Sequence, residues 1–352
     1  FCGGCGASVE ALDMVGEIVG GRYEILAKLG EGGMGAVFRA RQISLKREVA
    51  LKVLKSELSQ TPGLVRRFYA EAELAAKLSH PNTVTLFDFG ERDDGSLFIA
   101  MELVTGHSLR QVLASRRALD AETSVFIAEQ VCASLADAHS HGIVHRDLKP
   151  DNVMLTKRGR QDNIVRVLDF GIAKLRDDGA ITKNPMTQAG DLLGTPQYMA
   201  PEQIRGEKVD GRADIYALGC MLFEMVTGEL PFIGKTVMAI LSQHLTNEPE
   251  PPSKRRPELG ISADLERIIL ECLQKHPEAR PASMESLGER LADLRRRLGV
   301  PTPHAHGTMS PAASPQFSTA AVAQTATPAS LGSLGLPSPP PHATPHGSTG
   351  PG

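Results

Sequence analysis

The stretch His145-Arg-Asp-Leu-Lys-Pro-Asp-Asn152, followed further on by Asp169-Phe-Gly171, gathers a base, a cation and two oxygen ligands for a metal. That set is suited to moving a phosphoryl group from ATP to a hydroxyl. Such a transfer needs little covalent help and much positioning and charge neutralisation. Asp147 is placed to act as the base, Lys149 to steady the transferring phosphate, and Asn152 and Asp169 to hold Mg²⁺. Taken alone, an Asp in a polar loop is more often a turn former than a catalyst. The elements that surround these residues therefore have to decide.

A glycine-rich run, Gly30-Glu-Gly32-Gly-Met-Gly35, lies between two strand-like segments, 23–30 and 36–40. The same glycine spacing opens dinucleotide-binding folds, where a helix follows the third glycine. Here Val37, Phe38 and then Val49-Ala-Leu-Lys52 continue as strands, so the glycines cap a hairpin whose backbone N–H groups can approach phosphates. Lys52 sits in apolar company on both faces of its strand and should have a partner. Downstream, Leu64, Phe68, Ala72, Ala75 and Leu78 form one helical stripe. At 100° per residue Glu71 falls beside that stripe and Glu73 on nearly the opposite face. Two more strands, 84–90 and 97–103, complete a five-stranded lobe, and beyond Gly106 the pattern is mostly helical. The segment 121–141 is amphipathic and stops at Gly142.

These motifs, in this order, resemble those of protein kinases over roughly 23–298. The resemblance implies an α+β, two-lobed kinase fold: an N-lobe over 23–103 with a five-stranded antiparallel sheet and one helix, a hinge at 102–106, and a mainly helical C-lobe over 107–298. It implies ATP and Mg²⁺ as cofactors. Leu29, Gly30, Gly32, Gly35, Val37, Ala50, Lys52, Met101, Glu102 and Val104 would line the ATP site, with Met101 as gatekeeper and the hinge backbone on the adenine edge. Lys52 and Glu71 would form the ion pair that orients the α- and β-phosphates. Glu202 of Ala-Pro-Glu and Arg280 resemble the buried pair that anchors the activation segment. Lys149, in Leu-Lys-Pro-Asp, points to serine or threonine acceptors in protein substrates. Arg146 before the catalytic Asp points to a phosphorylated activation segment, with Thr187 the first candidate, Thr182 the second, and self-association as the route to autophosphorylation. Thr195 would contact Asp147 and Lys149 as part of the substrate platform. The chain has no Trp, and Tyr216 stands where many kinases place one, as in bacterial members. A scaffold that has lost catalysis is the rival reading, although such proteins usually lack the lysine, the base or the metal aspartate.

Composition sets outer bounds. The chain has 352 residues, 41% of them hydrophobic, and a net charge of −3. This balance makes no case for nucleic acid or an anionic membrane surface. No apolar run approaches the ~20 residues of a membrane span. Cys132, Cys220 and Cys272 lie in apolar helical surroundings and read as buried thiols in a reducing cytoplasm. Cys2 and Cys5 form a C-x-x-C turn, half of the four ligands that tetrahedral zinc takes. With a start at Phe1 rather than Met, this reads as the second knuckle of a zinc ribbon in a longer protein, against a redox pair or a chance spacing. The segment 1–22 is thus knuckle and linker. From 299 to 352 the chain is rich in Pro, Ser, Thr and Ala, and no Asp, Glu, Lys or Arg occurs after Pro301. It reads as a disordered linker, with room for a membrane anchor beyond Gly352.

Overall fold

In the computed structural model the described residues are 14–32, 35–56, 63–170 and 195–297. All belong to the first of two compact units of the chain, Phe1–Pro303. Cys2, Cys5, Thr182, Thr187 and the segment 299–352 lie outside the described residues.

The N-lobe sheet contains β1 (Ile18–Val19), β2 (Tyr23–Gly32), β3 (Gly35–Gln42), β4 (Arg47–Leu54), β5 (Leu86–Glu91) and β6 (Leu97–Glu102). Their order is β1-β2-β3-β4-β6-β5, antiparallel throughout. The sheet has six strands rather than the expected five, because Ile18 and Val19 pair with Glu24 and Tyr23. Val19, placed by sequence in the linker, is buried against Tyr23 and Phe38. A two-residue strand is too short to show periodicity, which is why the pattern missed it.

The central strands explain the lobe. Val49, Leu51 and Val53 of β4 join Phe98 and Ala100 of β6 in one apolar cluster, while Ala50 and Leu54 join Leu97, Ile99 and Met101 in another. Alternate side chains point to opposite faces, so a strand apolar at every position buries both. The second cluster receives Leu64 and Phe68 of helix α1 (Leu64–Ala75). Lys52 shares the face of Ala50 and Leu54, and is only 8% exposed.

After the hinge come β7 (His107–Ser108), α2 (Leu109–Arg116) and α3 (Ala121–Ser140). Ser108 and Gln111 make a reciprocal capping box for α2, and Asp120 caps α3. At Gly106 the chain runs so close to the next sheet that a Cβ would lie 2.3 Å from the Leu155 carbonyl oxygen. That sheet, β7 with β8 (Val153–Arg158) and β9 (Gln161–Val167), was not expected from the mostly helical pattern. It holds the catalytic stretch on one side and Asp169 on the other. The C-lobe continues with α4 (Pro201–Arg205), α5 (Arg212–Thr227), α6 (Val237–Thr246), α7 (Pro252–Arg255), α8 (Ala263–Cys272) and α9 (Met284–Arg297). Every residue of α5 from Ala213 to Thr227 is buried, as a helix apolar on all sides must be.

Candidate active site

The catalytic stretch is held by backbone bonds before its side chains are considered. Asn152 N–H donates to the Lys149 carbonyl at 3.0 Å, and Leu168 N–H donates to the Asn152 carbonyl at 2.9 Å, which brings Asp169 alongside. Asn152 Nδ2 donates to the Asp147 carbonyl at 2.8 Å and lies 3.4 Å from Asp147 Oδ2. Lys149 Nζ pairs with Asp147 Oδ2 at 2.8 Å. His145 lies under the stretch, fully buried, with Nε2 2.8 Å from the Leu168 carbonyl. A carbonyl only accepts, so Nε2 carries the proton and Nδ1 accepts from Asp147 N–H at 3.4 Å. The His145 ring also packs against Phe170, tilted by 60° with centroids 5.1 Å apart.

Arg146 and Asp169 have φ of 65° and 58°, left-handed values uncommon for residues with a side chain. Asp214 of α5 supports the first. Its Oδ2 accepts His145 N–H and its Oδ1 accepts Arg146 N–H, each at 2.9 Å, and His139 Nε2 approaches Oδ2 at 2.8 Å. Burial alone would push the Asp214 carboxyl up, but the hydrogen bonds from His139 and from the His145 backbone N–H hold it below its ordinary value. Strained backbone persists where its surroundings over-determine it, and here a buried carboxylate does so.

On the other wall, Lys52 Nζ pairs with Asp169 Oδ2 at 2.8 Å. The pairing expected from the sequence, Lys52 with Glu71, is not formed. Glu71 is half-buried and Glu73 exposed, as the helix geometry required, but among the described residues the ion-pair partner of Lys52 is Asp169. Charges withdrawn from water are costly unless paired, and here the buried Lys52 and the half-buried Asp169 satisfy each other. Burial pushes the Asp169 carboxyl up, while the Lys52 charge and hydrogen bond outweigh it and hold it below its ordinary value.

Val37, Ala50 and Met101 come together in the apolar cluster that faces α1 and the cleft, with Ala50 opposite Met101 and Val37 opposite Lys52 across the ladders. Leu29, Gly30 and Gly32 are exposed at the end of β2. Gly35 opens β3 where a Cβ would lie 2.0 Å from the Val53 carbonyl oxygen, so no other residue fits. Glu102 and Val104 are half-buried in the hinge. Behind Met101, a cavity of about 30 Å³ reaches Asp169 and Phe170.

This arrangement is a two-lobed cleft with a glycine hairpin, a buried lysine and a carboxylate-bearing loop. A family model described as the protein kinase domain matches residues 23–291. The chain belongs to the protein kinase family. The serine/threonine-protein kinase pkn3 of Myxococcus xanthus is 46% identical over 292 residues, 81% of this chain and 53% of that protein. PknB of Mycolicibacterium smegmatis is 42% identical over 278 residues, 78% of this chain and 43% of that protein. The chain thus spans about half the length of the curated relatives it matches. The crystal structure of the Mycobacterium tuberculosis PknI kinase domain superposes with a TM-score of 0.62 at 29% identity, over 79% of this chain and 98% of that one. A structure of Rad53 in complex with AMP-PNP gives a TM-score of 0.63 at 26% identity, over 76% and 64%.

Elsewhere in this kinase domain, Arg280 meets Glu202 with two parallel bonds, Nη1 to Oε1 at 2.7 Å and Nη2 to Oε2 at 2.8 Å, both residues buried. Thr195 starts the short turn 196–198 and its carbonyl accepts Tyr198 N–H at 3.1 Å. The expected bonds from Thr195 to Asp147 and Lys149 are absent among the described residues, where those two are bonded to each other. Asp214, His139 and Arg166 are functional candidates that sequence reasoning passed over. Arg166 and Asp214 did leave a signal: Arg166, like Lys52, is a charge inside an apolar run, and Asp214 is a charge that opens one.

Proposed function

We propose that this chain is a Mg-ATP-dependent protein serine/threonine kinase that phosphorylates its own activation segment and acts in signal transduction. The observation that carries the reading is that Asp147, Lys149, Asn152, Asp169 and Lys52 converge on one cleft between the lobes. The donor set fits Mg²⁺. Asn152 commits Nδ2 to Asp147, which turns its Oδ1 the other way, and Asp169 commits only Oδ2. Two hard oxygens remain, the number Mg²⁺ takes from protein when phosphate and water supply the rest. Bound Mg-ATP would supply the transferable phosphoryl group and the neutralising charge.

The chain's own residues do the remainder. Asp147 orients the acceptor hydroxyl and accepts its proton through the carboxylate that Lys149 and Asn152 hold in place. Lys149 then offers its ammonium to the transferring group. Lys52 faces the nucleotide phosphates, and a move of its ammonium from Asp169 to Glu71 would complete the active arrangement. Ala50, Val37 and Met101 wall the adenine, and the backbone of Glu102 and Val104 reads its edge. The Rad53 structure, a complex with AMP-PNP, supports a nucleotide ligand. The serine/threonine-protein kinase descriptions of pkn3 and PknB support the acceptor class, as does Lys149.

Arg146 is proposed to read phosphate on Thr187 or Thr182. Thr195 is kept as part of the peptide platform. Cys2 and Cys5 are proposed as two zinc ligands, the other pair to come from elsewhere in the polypeptide. Under this reading catalysis belongs to the cytoplasm, where ATP is.

Incubation with labelled Mg-ATP and a generic protein substrate tests the reading. Lys52→Met and Asp147→Asn should each lower incorporation by at least ~100-fold, the scale of a lost positioned base. Full turnover by Asp147→Asn would overturn its assignment. Label confined to sites outside 182–187 would remove the role given to Arg146.

A further inference from the structure

The run Ile164-Val165-Arg166-Val167-Leu168 on β9 carries one charge among apolar residues, three positions before Asp169. The Arg166 side chain is 18% exposed, so the charge is largely withdrawn from water. Its guanidinium bridges two segments. Nη1 donates to the Pro81 carbonyl at 2.5 Å, and Nη2 makes an ion pair with Glu102 Oε2. Nε has no acceptor among the described residues, so the planar fork is aimed at these two partners at the expense of its third donor.

The partners belong to different parts of the cleft. Glu102 ends β6 and begins the hinge. Its N–H donates to the Thr85 carbonyl at 2.9 Å, and its Oε2 also accepts Thr85 N–H at 3.3 Å. The segment around Thr85 is in turn tied to β9: Val84 N–H donates to the Val167 carbonyl at 3.0 Å, and Val167 N–H to the Asn82 carbonyl at 2.7 Å. Hinge, 81–85 segment and β9 therefore meet at one guanidinium. An ion pair at a rim usually contributes little to stability. A fork that holds a hinge carboxylate and a loop carbonyl at once restricts geometry instead.

We propose that Arg166 is a positioning residue for nucleotide binding, which sets the hinge through Glu102 and links it to the strand that delivers Asp169. The inference rests on the kinase reading and deepens it. Arg166 bonds the Pro81 carbonyl and the hinge residue Glu102 rather than Asp147, Lys149 or Asn152, so its removal should act on KM for ATP more than on kcat.

Steady-state kinetics and calorimetric ADP binding on wild type, Arg166→Ala, Arg166→Lys, Glu102→Ala and the Arg166→Ala/Glu102→Ala double variant test it. Arg166→Ala should raise KM for ATP and weaken ADP binding by roughly five- to tenfold, with kcat within about twofold. Arg166→Lys should recover only part, because an ammonium lacks the fork. The double variant should be no worse than the worse single one, since the residues act as a unit. Unchanged ADP affinity in Arg166→Ala, with or without a lower melting temperature, would overturn the inference and leave the kinase reading standing. Additive losses in the double variant would also overturn it. Wild type that binds ADP without transferring phosphate would sink the kinase reading alone, and wild type that binds no nucleotide would sink both.

Discussion

The two walls of the cleft are built differently. On the C-lobe side, the catalytic stretch is fastened by its own backbone, by His145 below it and by Asp214, whose two oxygens take three donors from inside a fully buried helix. On the N-lobe side, the ion pair that Lys52 makes among the described residues is with Asp169, and not with the Glu71 that α1 presents. The first wall is pre-organised, so little has to move for Asp147 to be in position. The second rests on the Lys52–Asp169 ion pair, and under the proposed function that pair is the one to be exchanged when a nucleotide enters.

Removing Asp214 should break that contrast most severely. Asp214→Ala leaves the His145 and Arg146 N–H groups without acceptors and frees a left-handed backbone, a loss on the order of 3–5 kcal/mol. Denaturant unfolding would measure it, and a cost under about 1 kcal/mol would mean that α5 does not clamp the stretch. Asp214→Asn sharpens the same point with a smaller change. It retains an oxygen for one backbone N–H but cannot serve both, so activity should fall by more than stability does.

Lys52→Met probes the opposite wall, and its signature is in acid. The Asp169 carboxyl is held low in the folded protein, so the pair's stabilisation is present above the unfolded carboxylate value of ~3.9 and is lost as pH falls through the folded value. Without Lys52, burial pushes the Asp169 carboxyl up, with the Lys149 charge opposing. Melting temperature followed from pH 7 to 3 should therefore begin to drop at higher pH in Lys52→Met than in wild type. Superimposable profiles would show that Asp169 does not depend on Lys52. The effect should be smaller than that of Asp214→Ala, because one pair is lost rather than a network.

Much of this site was legible as residue types in order. The helix stripe separated Glu71 from Glu73, and the strand after the third glycine excluded a dinucleotide fold. The apolar run around Lys52 showed that the lysine needed a partner. What the run could not show was which one, because Glu71 and Asp169 both satisfy the same local argument. Asp214 and Arg166 went unread for a related reason. A charge in an apolar run, or at its start, announces a partner without naming it, and theirs lie 60 or more residues away. The C-lobe sheet was missed because β8 and β9 mix exposed charges such as Lys157 and Arg158 with core residues, so neither period stands out.

By itself, the sequence determined the chemistry and the class of fold. The proposed base, cation and metal oxygens are matters of residue type, and hydrophobic periodicity decides which segments become strand or helix. Only the tertiary structure decided how the charges pair: Lys52 with Asp169 across 117 positions, Asp214 with the backbone of His145 and Arg146, and Arg166 with Glu102. The reason is physical. A buried charge takes whichever opposite charge or polar group packing brings within about 3 Å, and that distance is a property of the folded chain rather than of any segment of it.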